Sequence, residues 1–443
     1  MATHDSLTGL PNRTVILDRT EQMLVRSRRN HRPVSALFID LDNFNAVNDT
    51  LGHDTGDELL RAVAARLDGI VRATDALGRL EGDEFVVIAE DPSRTAGPEL
   101  VAERLLQALK QPFTLGDGDE ATTVTVTASV GIATGERNSA DDLLRDADIA
   151  MYRAKWDGKN RYVVFEAVMQ DAVQRRMELE MDLRVALERN EFFLVYQPTF
   201  DLRDMRPTGL EALIRWNSPT RGIIQPDDFI PTLEETGLIA EVGKWVLEEA
   251  CQQGAAWREA GYQIGMAVNV SARQLDTDEL VGEVRDALSH SGLEPGALTL
   301  EITETGLMRN AKETARRLVA IKALGVRLAI DDFGTGYSSL AHLQQFPVDA
   351  LKIDRSFISG MTEHQDGETL LHTLVQLGKS LSIETLAEGI EQPRELSLLQ
   401  AEQCDSGQGF LYARPQDATA TEAFLRDSVN NPTPATAQTP RGA

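Results

Sequence analysis

An α+β domain with an antiparallel sheet, followed by an α/β barrel, is the fold class this 443-residue sequence predicts. Three observations predict it. Between residues 191 and 429, eight short β-rich runs alternate with mostly helical segments, the rhythm of a (β/α)₈ barrel. Between residues 5 and 165, hairpin-like runs mix with helices, which suits an α+β layer. The chain is also too long for one ordinary core.

Charge and composition narrow the function. A net charge of −26 argues against binding a nucleic-acid polymer, which needs a basic stripe, and against docking on an anionic membrane. No apolar run reaches the roughly 20 residues of a membrane span, and no signal-peptide pattern opens the chain. Cys251 and Cys404 are too few and too far apart for a disulfide framework or a thiolate zinc site. The expectation is a cytoplasmic protein.

The first domain is expected over 1–166. Val34 to Asp40 reads as a buried strand, and Gly56 to Val71 as a helix with Leu59, Leu60, Val63 and Leu67 on one side. Leu77–Leu80 and Phe85–Ala89 flank a tight turn, Glu81-Gly82-Asp83-Glu84. Thr122 to Thr134 reads as a strand run, and Asp141 to Trp156 as a helix with an acidic first turn. A helical linker is expected over 167–190, with Met169, Val173, Met177 and Met181 as an ordinary docking stripe. The barrel, 191–429, has strand runs at Phe193–Tyr196, Gly209–Ile214, Gly265–Val270, Leu298–Ile302, Val326–Ile330, Ala350–Ile353, Ile383–Leu386 and Gly409–Leu411. Helical patterns lie between most of them, one at Ser338 to Phe346, and residues 430–443 read as a disordered tail.

Polar side chains gather where these strands end. Glu211 lies within its run. Asn269, Glu301, Asp331 and Lys352 stand at or near strand C-termini, Asp332 follows Asp331, and Glu388 lies just past a strand. In a closed barrel all would meet at one mouth. Oxygen donors without His or Cys suit Mg²⁺ or Mn²⁺ rather than zinc. Two such ions, roughly 3.5–4 Å apart, would offset five massed carboxylates and clamp an in-line displacement at phosphorus. Lys352 could hold the attacking water or offset transition-state charge.

The motifs carrying these residues resemble those of the EAL family. They are Glu211-Ala212-Leu213-Ile214-Arg215-Trp216, Asn269-Val270-Ser271, Leu300-Glu301-Ile302-Thr303-Glu304, Asp331-Asp332-Phe333-Gly334, Leu351-Lys352-Ile353-Asp354, Ala387-Glu388-Gly389-Ile390-Glu391 and Gln408-Gly409-Phe410. The resemblance implies a phosphodiesterase that opens cyclic di-GMP to linear pGpG on a modified TIM barrel whose first strand is antiparallel. Glu211, Asn269, Glu301 and Asp331 would hold one ion; Asp331, Asp332 and Glu388 would hold the other. Lys352 would meet the water, Glu391 would join the catalytic set, and Arg215, Asp354 and Gln408 would contact substrate. Glu304 would anchor the loop after Asp332. A homodimer is also implied. Asp-Phe-Gly without a His-Arg-Asp loop does not make a kinase.

The first block resembles a GGDEF, or diguanylate cyclase, domain through Asp5-Ser6-Leu7-Thr8-Gly9-Leu10-Pro11-Asn12-Arg13, Asp40-Leu41-Asp42-Asn43-Phe44 and Gly158-Lys159-Asn160. That family condenses two GTP into cyclic di-GMP. Asp40, Asp83 and Glu84 would hold Mg²⁺ on the triphosphate, Asn48 and Asp57 would meet guanine, and Lys155 and Lys159 would meet phosphates. Arg72 and Asp75 match its inhibitory product site. Two departures argue against turnover: Glu81 replaces the first glycine of the signature, and Asn45 stands where a lysine is usual. Each shifts charge unfavourably beside a polyanion, by roughly 3 kcal/mol for a pair 5 Å apart at an effective dielectric near 20. The reading is a regulatory module that binds GTP or cyclic di-GMP. A bifunctional enzyme that also makes cyclic di-GMP, and a receptor without catalysis, remain open alternatives.

Overall fold

A computed structural model describes residues 3–430 apart from 31, 73, 91–96, 117–121, 136, 309, 335–344 and 361–364. The chain forms two compact units, Met1–Glu178 and Leu179–Ala443.

In the first unit, β1 (Val34–Asp42), β2 (Ala76–Arg79), β3 (Glu84–Glu90), β6 (Thr127–Thr134) and β7 (Tyr162–Val164) form a sheet ordered β2-β3-β1-β6-β7, while β4 (Phe113–Leu115) and β5 (Thr122–Val124) pair separately. All nine residues of β1 are buried, because both sheet faces are covered. Leu37 and Ile39 join a core with Leu59, Val63, Ala102 and Leu105; Ala36 and Phe38 join another with Ile16, Leu24, Leu143 and Ala147. The two-residue period of the strand thus feeds two cores. Thr122 to Thr134 is not one strand: β5 pairs with β4 and β6 with β1. β-Branched composition marks extended backbone but not its partner.

Gly131 in β6 lies under the helix Ala140–Trp156, where an added Cβ would sit 2.0 Å from both the Ala147 carbonyl oxygen and the Met151 amide nitrogen. Backbone on both sides cannot yield cheaply. Gly131→Ala is therefore expected to destabilise this unit by about 1–3 kcal/mol in chemical denaturation; unchanged stability would refute the packing.

The second unit is a closed barrel. Its strands are β8 (Phe192–Asp201), β9 (Pro207–Ser218), β11 (Gly265–Val270), β12 (Leu298–Thr303), β13 (Arg327–Phe333), β14 (Ala350–Ile353), β15 (Glu384–Ala387) and β16 (Ser406–Gly407), and β10 (Gly222–Ile224) extends β9 as a hairpin. β8 is antiparallel to both its neighbours, β9 and β16, and the other barrel pairs are parallel. The expected modified barrel is observed.

Two expectations fail in detail. Gly409–Leu411 is a turn, and the strand is Ser406–Gly407. A Cβ on Gly409 would fall 2.1–2.6 Å from the backbone of Ile390, so this glycine serves a close backbone approach rather than a strand. The linker helix spans Val168–Ala186, but Val173 is buried while Met177 and Met181 are exposed. Each four-residue step advances about 40° beyond a full turn, so the repeat drifts off one face. The helix expected over 338–346 falls almost wholly outside the described residues. So do most of the loop after Gly334 and the tail from 431.

Candidate active site

Strand alternation aims Glu211 on β9, Asn269 on β11, Glu301 on β12, Asp331 on β13 and Lys352 on β14 toward the barrel axis, with Glu388 and Gln408 just past β15 and β16. Lys352, 1% exposed, is the hub. Its Nζ lies 2.7 Å from Glu301 Oε2, 2.8 Å from Glu388 Oε1, 3.2 Å from Asp331 Oδ1 and 3.5 Å from Glu211 Oε2. Glu211 accepts from Asn269 Nδ2 at 2.7 Å and from Gln408 Nε2 at 2.6 Å; the same Nε2 reaches Glu388 at 2.9 Å. Gln408 Oε1 is buried and has no hydrogen-bond partner among the described residues.

Adjacent acids on a strand should face opposite ways. Here the β13–β14 register shifts between Ile330 and Phe333, and Asp332 takes a left-handed conformation at φ 53°. This irregularity turns the second carboxylate back, so Asp331, Asp332 and Glu388 offer oxygens all within 4.8 Å of one another. Glu304, buried, accepts from the Gly334 amide at 2.9 Å and so holds the start of the following loop.

Burial opposes the charge of Glu211, Glu301, Asp332, Lys352 and Glu388. It would lower the pKa of Lys352, but Glu211, Glu301, Glu388 and Asp331 together raise it well above normal. Burial drives Glu301 well up, with Glu211 repelling it, and lifts Glu388 to about 8. Burial lifts Asp332 as well, helped by Asp331. Glu211 is held low against its burial by Lys352, Gln408 and Asn269. Five carboxylates around one ammonium would carry excess negative charge if all were ionised. The raised pKa values of Glu301, Glu388 and Asp332 relieve it by holding protons, which a bound cation would displace.

Two anticipated substrate residues, Arg215 and Asp354, and one anticipated catalytic residue, Glu391, make no hydrogen bond to this hub among the described residues, although Asp354 repels Asp332. Arg215 is half-buried, donates to the Ile214 carbonyl at 2.7 Å and feels Asp227 and Glu211 only through space. Asp354 accepts from the Ser356 amide at 3.0 Å. Glu391 is exposed, and its amide donates to Glu395 at 2.8 Å. A cavity of about 460 Å³ opens beside Asn269, Asp331 and Asp332, with an apolar wall that includes Ile230 and Val246. Asp227, at its edge and in the first turn of the helix Pro226–Thr236, escaped the sequence reading; an acid beside a helix-starting proline was the available signal.

In the first unit, Asp40 is buried and bonds Lys155 Nζ at 2.6 Å; burial pushes its pKa up to about 7. Burial also raises Asp83, and raises Glu84 with repulsion from Asp148 and Asp83. Asp148, on the helix Ala140–Trp156, is the acid the sequence reading missed. Arg79 latches the altered turn, donating to the Gly82 carbonyl at 2.9 and 2.6 Å and pairing with Asp5 at 2.9 Å, while Glu81 stays exposed. Lys159 donates to Asn43 Oδ1 at 2.6 Å, Asn48 packs against Gly56, and Asp57 is exposed. Asp75, lifted by burial, donates its amide to the Arg72 carbonyl at 2.9 Å.

A barrel with one antiparallel strand and a carboxylate ring at its mouth, carried behind an α+β unit, defines a two-domain class. The sequence profile of the EAL domain matches residues 180–415, and that of the diguanylate cyclase, GGDEF domain matches residues 2–161. The chain belongs to the EAL family and carries a GGDEF domain in tandem.

It is 42% identical over 421 residues to the bifunctional diguanylate cyclase/cyclic di-GMP phosphodiesterase MucR of Pseudomonas aeruginosa, covering 94% of this chain and 61% of MucR. It is 39% identical to the cyclic di-GMP phosphodiesterase NbdA of the same organism, covering 96% of this chain and 54% of NbdA. The chain therefore spans little more than half the length of these relatives. A solved structure titled PaMucR phosphodiesterase, c-di-GMP complex, superposes with a TM-score of 0.54 at 43% identity, covering 55% of this chain and 99% of that one. Among the described residues, no helix is long and apolar enough to cross a membrane.

Proposed function

We propose that this chain hydrolyses cyclic di-GMP to linear pGpG with the help of two divalent cations, Mg²⁺ or Mn²⁺, and that its GGDEF domain serves mainly as a regulatory nucleotide-binding module. The observation that carries the reading is the ring of five carboxylates, Asn269 and Gln408 around buried Lys352. The residues fit the ions: all donors are oxygen, carboxyl groups outnumber the one ammonium, and Gln408 Oε1 lacks a hydrogen-bond partner among the described residues. Glu211, Asn269, Glu301 and Asp331 would hold one ion, and Asp331, Asp332 and Glu388 the other. Bound there, the ions would activate water and polarise a phosphodiester.

The reaction adds a water oxygen to phosphorus and breaks the P–O3′ bond. O3′ takes one proton, and the other leaves as the new phosphate ionises. Lys352 would orient the water and stabilise the charged transition state, with Glu391 assisting. Arg215, Asp354 and Gln408 would position the substrate. The division into 1–166, 167–190 and 191–429 belongs to this proposal, as do a homodimeric state and a cytoplasmic location. Purified protein with Mg²⁺ and cyclic di-GMP should yield pGpG, and its absence would sink the reading.

For the first domain, the added negative charge of Glu81 and the missing lysine charge at Asn45 are set against GTP. Asp40, Asp83, Glu84, Lys155 and Lys159 are present for Mg²⁺ and phosphate, Asn48 and Asp57 for guanine, and Arg72 and Asp75 for the product. Glu81→Gly combined with Asn45→Lys is expected to tighten GTP binding at least tenfold by calorimetry, less than the roughly 3 kcal/mol per pair allows, because both sites are solvated. Unchanged binding would refute the charge argument. GTP conversion by the parent chain, lost in Asp83→Ala, would favour the bifunctional alternative.

A further inference from the structure

Below the carboxylate ring the barrel is hollow. Two residues before Glu211, Asn269, Glu301, Asp331 and Lys352 on their strands stand Gly209, Ala267, Thr299, Ala329 and Ala350. Strand alternation aims this second tier at the axis too. Barrels of this kind ordinarily fill such a tier with Val, Ile and Leu. Here these small side chains, with Leu386 two residues before Glu388 as the one large member, border a cavity of about 280 Å³.

The cavity has two unlike ends. Glu301 and Lys352 border it at the top, 3% and 1% exposed. At the bottom it meets two ion pairs, Arg327–Glu384 at 2.5 Å and Arg203–Asp201 at 2.6 Å. The side chains of Arg203 and Glu384 are 77% and 59% exposed, so this end reaches the surface opposite the mouth. Apolar cavities stay dry, but this one is bordered by hydroxyls, carboxylates and cations as well as by Leu210, Met266 and Leu386, and has room for on the order of ten waters.

We infer that the cavity is a hydrated shaft that carries water to the Lys352–Glu301 floor of the site from the face opposite the mouth. The inference rests on the hydrolytic function proposed above and adds the route of the co-substrate. Each turnover consumes one water. A cyclic dinucleotide seated on the mouth covers the upper route, whether or not the attacking water is already in place. A shaft from below fills the site after the substrate has closed it.

Gly265 offers a plug far from the chemistry. It borders the shaft four residues before Asn269, about 13 Å along β11. A Cβ there would meet nothing nearer than 3.6 Å, and its φ is not left-handed. Gly265→Leu, with Ala350→Leu as a second plug, is expected to lower kcat at least fivefold. The Kd for cyclic di-GMP, measured with Ca²⁺ in place of Mg²⁺, should stay within twofold of the parent. A crystal structure of the parent should show ordered water from Glu384 to Lys352, and oxygen-17 relaxation should lose long-lived waters in both variants. A dry cavity overturns the inference even if the parent proves catalytically silent, and parental kcat in two folded, plugged variants overturns it even if the hydrolytic function stands.

Discussion

Hydrolysis of cyclic di-GMP is expected to fall by about 10²–10³-fold or more when Glu211 is replaced by alanine, measured as kcat with Mg²⁺ saturating. Glu211 is fully enclosed, and its two oxygens are oriented by Asn269 and Gln408 rather than by solvent. The substitution removes one oxygen donor from the ring and a carboxylate that faces Lys352. Gln408 keeps its bond to Glu388, and the vacated space adjoins polar groups that water can satisfy, so the fold should persist. A circular dichroism melt checks that point. Activity within tenfold of the parent would take Glu211 out of the catalytic machinery.

Lys352→Met is expected to destabilise the metal-free protein by about 3–5 kcal/mol, read from denaturant unfolding in EDTA. The shape of the side chain is nearly kept, but Glu211, Glu301, Asp331 and Glu388 lose the ammonium they share. Protonation of raised carboxyls such as Glu301 and Glu388 softens the loss, which favours the lower end of that range. A divalent cation should restore part of it: an ion present at 100 times its Kd adds about 2.7 kcal/mol. Mn²⁺ should therefore raise the stability of the variant while leaving hydrolysis impaired. Equal stability of variant and parent in EDTA would show that Lys352 does not hold the cluster together.

The order of elements and the residues that gather at the mouth were legible in the linear chain. Strands β11 and β14 fall where the β-rich runs lie, because buried strands leave short apolar runs between turn signals. Glu301, Asp331, Lys352 and Glu388 were recognisable because each sits at or just past the end of such a run, and a barrel brings strand ends together. Their convergence on one ammonium was not legible, since Glu211 and Lys352 are 141 positions apart and no local pattern encodes a distance between them.

Register and backbone shape account for the rest. The β13 irregularity that turns Asp332 beside Asp331 depends on pairing with β14. Gly409 is a turn because Ile390 lies against it, and Thr122 to Thr134 splits because its halves find different partners. The second tier of glycine, alanine and threonine became visible once the strands were aligned. One small residue on each of five strands is unremarkable along the chain, and a hollow barrel only when closure puts them at the same height.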